Sequence, residues 1–143
     1  MREIKFRAWD NHYKYMNYKI IVGIYGDWEK VKDDKNYTSC AMWIEPKNVD
    51  YKCEPHWSHF EPYHENIKLM QYTGLKDKNG VEIYEGDIVS IDERNIFYIV
   101  EWHDTGLKGR QYNNQSYIGL EYWKNIMEVI GNIYENPELL EGR

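Results

Sequence analysis

Cys40, Cys53, His56, His59 and His64 fall within 25 residues, and Cys53-x2-His56-x2-His59 sets thiol and imidazole side chains close together. A structural zinc ion takes four such groups in a tetrahedron. The spacing argues against a finger, because Cys40 stands alone where a second cysteine two to four residues away is needed. A polar loop that happens to hold most of the five histidines is preferred to a metal site on Cys40, Cys53, His56 and His59. No cofactor is expected.

Two sets of carboxylates, Glu82 with Glu85 and Asp87, and Glu101 with Asp104, have the residue types for acid–base chemistry. That chemistry needs two groups whose environments push their pKa values apart, and no neighbour in the sequence does so. They read as solvated turn residues, Gly86 allowing the bend and Asp87 capping it. The chain has no Gly-x-Ser-x-Gly elbow, no Walker A loop and no dinucleotide fingerprint. Gly106-Leu107-Lys108-Gly109-Arg110 has glycine and positive charge but no strand-to-helix context for a phosphate cradle, so it reads as a flexible hairpin tip.

Aromatic residues are a better functional candidate, since peptide side chains and bases stack on them without strict geometry. Tyr98, Trp102, Tyr117, Tyr122 and Trp123 are the candidate partner-binding set. Strand parity puts Phe97 and Ile99 in the core and leaves Tyr98 and Trp102 partly exposed. The alternative set is basic: Arg2, Lys5, Arg7 and Lys14 at the start of the chain, facing nucleic acid.

The elements that position these residues are organised around LMQYTGLKDKNGVEIYEGDIV, Leu69 to Val89. Asp77-Lys78-Asn79-Gly80 has the chemistry of a hairpin turn: Asp and Asn bond nearby amides, and glycine takes a positive φ. Tyr72, Gly74 and Leu75 lead in. Val81 and Ile83 alternate with Glu82 and Tyr84 on the way out, a period of two that favours strand.

This run, with the opening MREIKFRAWD followed by Met16 and the later EVIGNIYENPELL, resembles the YopX family of phage and prophage proteins. The three blocks cover somewhat more than half the chain. The resemblance implies an SH3-like β-barrel in the C-terminal half and a phage-encoded origin in a bacterial host. It implies no activity and no catalytic residue, because the family is one of unknown biochemical function.

The chain has 143 residues, 14 of them Tyr and 6 Trp, and a formal charge of −6. Residues 1–68 hold 11 Lys/Arg and 11 Asp/Glu, whereas residues 69–143 hold 7 and 13. The deficit therefore lies wholly in the second half, against the strongly basic groove of duplex binders. No apolar run approaches the roughly 18–20 residues of a membrane span, and the opening lacks a signal-peptide core. Residence in the cytoplasm of the host cell is expected, with Cys40 and Cys53 as free thiols.

Ile4, Phe6 and Ala8 alternate with Lys5, Arg7 and Trp9 as a strand with one buried face. Asp10-Asn11-His12 turns it into a second strand, Tyr13 to Met16, where Trp9 meets an aromatic partner. Ile20–Tyr25, Trp28–Lys32 and Tyr37–Ile44 read as further strands, and the prolines between Glu45 and Asn66 as a connector. Ile88–Ile91 and Ile96–Trp102 are strands, Thr105–Gln115 an exposed loop, and Ser116–Tyr122 and Met127–Tyr134 the closing strands. Gly131 marks a bend or the close approach of another backbone, and Asn136-Pro137 opens a short helical turn. The expectation is a mainly-β chain: residues 1–66 a β-hairpin region and connector, residues 67–143 an SH3-like small barrel ending in a helical turn. Its expected role is a non-enzymatic interaction module that binds a protein or itself, an exposed sheet edge at the last strand or first hairpin favouring a homo-oligomer; a nucleic-acid-binding accessory protein is the alternative.

Overall fold

The computed structural model describes residues 3–11, 13–18, 67–91 and 95–141. The chain divides into two compact units, Lys5–Leu69 and Met1–Ile4 with Met70–Arg143. The strands expected at Ile20–Tyr25, Trp28–Lys32 and Tyr37–Ile44, and the connector, lie outside the described residues.

In the first of these units, β1 (Phe6–Asp10) pairs antiparallel with β2 (Tyr15–Asn17). The Asp10 carboxylate accepts the Tyr13 amide at 2.9 Å, and Lys14 takes a φ of 55° to close the turn. Two expectations fail here. Arg7, Ala8, Trp9 and Asp10 are all buried, so both faces of β1 are covered and alternation does not separate inside from outside. The residue opposite Trp9 is Met16, not an aromatic.

The other unit holds β3 (Ile67–Lys76) from Met70 onward, β4 (Glu82–Tyr84), β5 (Asp87–Ile91), β6 (Phe97–His103), β7 (Gly106–Gln111), β8 (Tyr117–Ile118), a helical turn α1 (Leu120–Trp123), β9 (Met127–Asn132) and a 3-10 turn (Pro137–Leu140). The mainly-β reading therefore holds.

The β3–β4 turn forms as its residue types dictate. One oxygen of Asp77 accepts the amides of Asn79 and Val81 at 2.8 and 2.9 Å, and Gly80 sits at φ 81°. Because Val81 belongs to this turn it is 47% exposed, while Ile83 and Tyr84 are both buried; the alternation expected from Val81 to Tyr84 is absent. At the next turn Gly86 has φ 82°, and Asp87 accepts the Tyr84 amide at 2.7 Å. Asp87 does cap this turn, but it is 1% exposed and so is no solvated residue.

Strands β5 to β9 form one antiparallel sheet in the order β8-β7-β6-β5-β9. Apolar residues of β5 and β6 go to both faces. Val89, Ile91 and Val100 pack on one side with Ile83, Leu120 and Met127; Ile88, Phe97 and Ile99 pack on the other with Leu140 of the 3-10 turn.

Two loop and strand assignments change. Gly106–Gln111 is a strand, not a loop or flexible tip, paired with β6 over six residues. It follows a two-residue turn in which Asp104 takes a φ of 53°. The expected strand Ser116–Tyr122 is two residues long and passes into α1, which sends Leu120 into the core. Gly131 is a close approach, though of a side chain and not of another backbone: a Cβ there would lie 2.6 Å from Asn136 Oδ1.

Candidate functional site

The register of β6, β7 and β8 assembles one polar and aromatic face. Ile99 stands opposite Arg110, Glu101 opposite Lys108 and His103 opposite Gly106; Arg110 in turn stands opposite Tyr117 on β8. Directly opposed residues project to the same side of a sheet. Glu101, His103, Lys108, Arg110 and Tyr117 therefore share the side carrying Ile99, beyond the apolar patch that Leu140 covers.

Glu101 Oε1 accepts two hydrogen bonds, from Arg110 Nε at 2.9 Å and from the Tyr117 hydroxyl at 3.0 Å. The His103 ring stacks on the Tyr117 ring, with centroids 3.8 Å apart and planes within 14°. Asp104, in the β6–β7 turn, lies 3.3 Å from His103 Nε2 and 4.0 Å from Lys108 Nζ. Desolvation, and then the bond to Glu101, push the Tyr117 phenol above its ordinary pKa. At neutral pH Tyr117 is therefore a hydrogen-bond donor, and its partner Glu101 is occupied as an acceptor. The carboxylates Glu101 and Asp104 each have their own cationic neighbours and do not form a pair.

The aromatic candidates separate. Tyr117 is in this face. Trp102 has the opposite parity and is 49% exposed near the end of β6. Tyr98 and Trp123 pack against the main core cluster, and Tyr122, at 81% exposure, meets Trp123 edge-on at 5.0 Å. Strand parity foresaw the exposure of Trp102 but not His103, Glu101 or Arg110, whose only signal in the sequence is their place on a hairpin whose second strand reads as loop.

Of the basic set, Arg7 is 3% exposed, with its guanidinium carbon 5.9 Å from the Tyr18 ring centroid. It is a core residue and not the surface cation expected. Lys14 is exposed and donates to Asn11 Oδ1 at 2.8 Å, and Lys5 is half-buried. Arg2 lies outside the described residues, as do Cys40, Cys53, His56 and His59. Of the other acids, Glu82 accepts the Tyr84 hydroxyl at 3.0 Å, and burial pushes the Glu85 carboxyl above its ordinary pKa. No helix among the described residues is long and apolar enough to cross a membrane.

Fold and face together define a mainly-β protein whose second unit presents an ordered aromatic and charged surface on three strands. The chain belongs to the YopX family: the family model described as YopX protein matches residues 5–141. It is similar to the crystal structure of protein EF1440 from Enterococcus faecalis at 26% identity and a TM-score of 0.57, over 99% of this chain and 100% of that one. Protein yopX from Bacillus subtilis shares the fold at 22% identity and a TM-score of 0.55, over 100% of this chain and 99% of that one. No curated protein matches the chain.

Proposed function

We propose that this chain is a non-enzymatic interaction module, encoded by a phage or prophage and acting in the cytoplasm of the bacterial host, that binds a protein partner or itself. The observation that carries this reading is the Arg110–Glu101–Tyr117–His103 cluster, held in one geometry on the sheet and half open to solvent. Tyr and Arg dominate the energetics of protein interfaces when their conformations are fixed beforehand. Here Glu101 fixes Arg110 and Tyr117, and the stack fixes His103. Trp102 adds an exposed anchor on the same hairpin.

The test compares the natural protein with a Tyr117→Ala, Arg110→Ala double variant and with Trp102→Ala, by quantitative capture from host-cell extract and by native mass. A partner, or a second copy, held by the natural protein and lost from the variants supports the reading. Equal retention by all three overturns it. Binding of labelled DNA or RNA at micromolar protein and low salt would put a nucleic acid in the partner's place.

A further inference from the structure

Asn79 and Gly80 stand at the corner of the β3–β4 turn, and Asn79 alone of the twelve asparagines precedes a glycine. The turn grips the chain on either side of their shared peptide bond. Asp77 Oδ1 accepts the Asn79 amide at 2.8 Å and the Val81 amide at 2.9 Å, and Asp77 itself is buried. Between those two anchors the corner is open. Asn79 and Gly80 are both exposed, and the Asn79 carboxamide has no hydrogen-bond partner among the described residues. A Cβ built on Gly80 would meet no atom within 4 Å. The Gly80 N–H donates to the Asp77 carbonyl at 3.0 Å, and with no side chain of its own Gly80 leaves this nitrogen unshielded from the Asn79 side chain.

We propose that Asn79 is a site of spontaneous covalent modification, at which the Gly80 nitrogen attacks the Asn79 carboxamide and the turn loses its hold on β9. A bond forms between Gly80 N and Asn79 Cγ, the Cγ–Nδ2 bond breaks, and the Gly80 amide proton leaves with the Asn79 amino group as ammonia. The product is a cyclic succinimide. Water then opens this ring at the Cγ carbonyl, giving aspartate, or at the main-chain carbonyl, giving isoaspartate. The chain and water are the only reactants, and nothing is oxidised or reduced. Isoaspartate lengthens the main chain by a methylene between the anchors on Asn79 and Val81. Asp77 holds those anchors with Oδ1 and the Val129 amide of β9 with Oδ2 at 2.9 Å, so a longer corner displaces the carboxylate that also ties down β9. Because ammonia is lost, the modified fraction grows with the age of the molecule.

The natural protein is held folded in mildly alkaline buffer and its peptides are followed by mass spectrometry, with Asn113, an exposed asparagine followed by Asn114, as internal reference. The Asn79 peptide should gain about one dalton. It should convert roughly tenfold or more faster than the Asn113 peptide, since a glycine nitrogen is the less shielded. Asn79→Gln, whose longer arm puts the carbonyl carbon beyond closure of that ring, should stay unmodified. In the isoaspartate form, isolated by chromatography, the Val129 amide should exchange about tenfold faster than in the unmodified protein, the worth of one hydrogen bond. Asn79→Asp adds the charge without lengthening the chain and should match the unmodified protein. Conversion of Asn79 no faster than that of Asn113 overturns the site. Unchanged Val129 exchange in the isoaspartate form, or an equal rise in Asn79→Asp, overturns the release of β9.

Discussion

The His103 ring lies flat on the Tyr117 ring, 3.8 Å between centroids, although the two residues stand on β6 and β8 with β7 between them. The Tyr117 hydroxyl is thereby directed to Glu101, whose negative charge opposes phenol ionisation. Tyr117 should titrate above the ordinary value of 10.0 in NMR of tyrosine-labelled protein. Glu101→Gln removes the carboxylate charge and should move the transition down. An unchanged midpoint would contradict the coupling.

Asp87 is fully buried and accepts the Tyr84 amide at 2.7 Å. Asp87→Ala leaves a buried donor without its acceptor, which costs about 1–3 kcal/mol. Urea unfolding should show a lower midpoint with an unchanged slope, and Asp87→Asn, which keeps an acceptor, should lose less. Equal losses would place the effect in the charge and not in the hydrogen bond.

Gly131→Ala puts a methyl group against Asn136, with Oδ1, Cγ and Cβ all within 2.9 Å of the new carbon. Asn136 can give way only by releasing the Asn132 amide. A loss of about 1–3 kcal/mol is expected from this overpacking. In a thermal melt series, Gly131→Ala with Asn136→Gly should be less damaged than the sum of the two single variants, because the clash is then relieved.

Glu85 has a folded-state pKa above its ordinary 4.5, chiefly from burial, with the Gln71 amide opposing the shift. The folded state holds this proton more tightly than the unfolded chain, so the group's contribution to stability is greatest below the unfolded pKa. It falls as pH rises through 4.5 toward the folded pKa. Chemical unfolding of Glu85→Gln should accordingly gain on the natural protein across that window. A constant difference between the two across the window would mean that Glu85 is not the titrating group.

Turns were the most legible part of the chain. Asp77, Gly80, Gly86 and Pro137 act through their own backbones or those of immediate neighbours, so a short window of residue types suffices to place them. Strands β5 and β6 were legible because β-branched and aromatic residues concentrate there. Strand β7 was not: Gly106, Lys108, Gly109 and Arg110 carry no strand signal, and the segment is a strand because β6 offers it a ladder. At the other extreme, α1 replaces part of an expected strand because Leu120 is drawn into the core.

The sequence by itself determined the mainly-β class, the two tight turns around Asp77 and Gly86, and the family, since these depend on local backbone preferences and on contiguous residue patterns. Only the tertiary structure decided which polar residues go inside and which surface residues meet. Arg7 occupies a position that sequence periodicity assigns to solvent, because periodicity presumes one covered face whereas β1 is covered on both, and Asp87, expected as a solvated turn residue, is buried where it caps its turn. Glu101, Arg110 and Tyr117 come together through the registers of two strand pairings, and register is set by long-range packing that adjacent residues do not record.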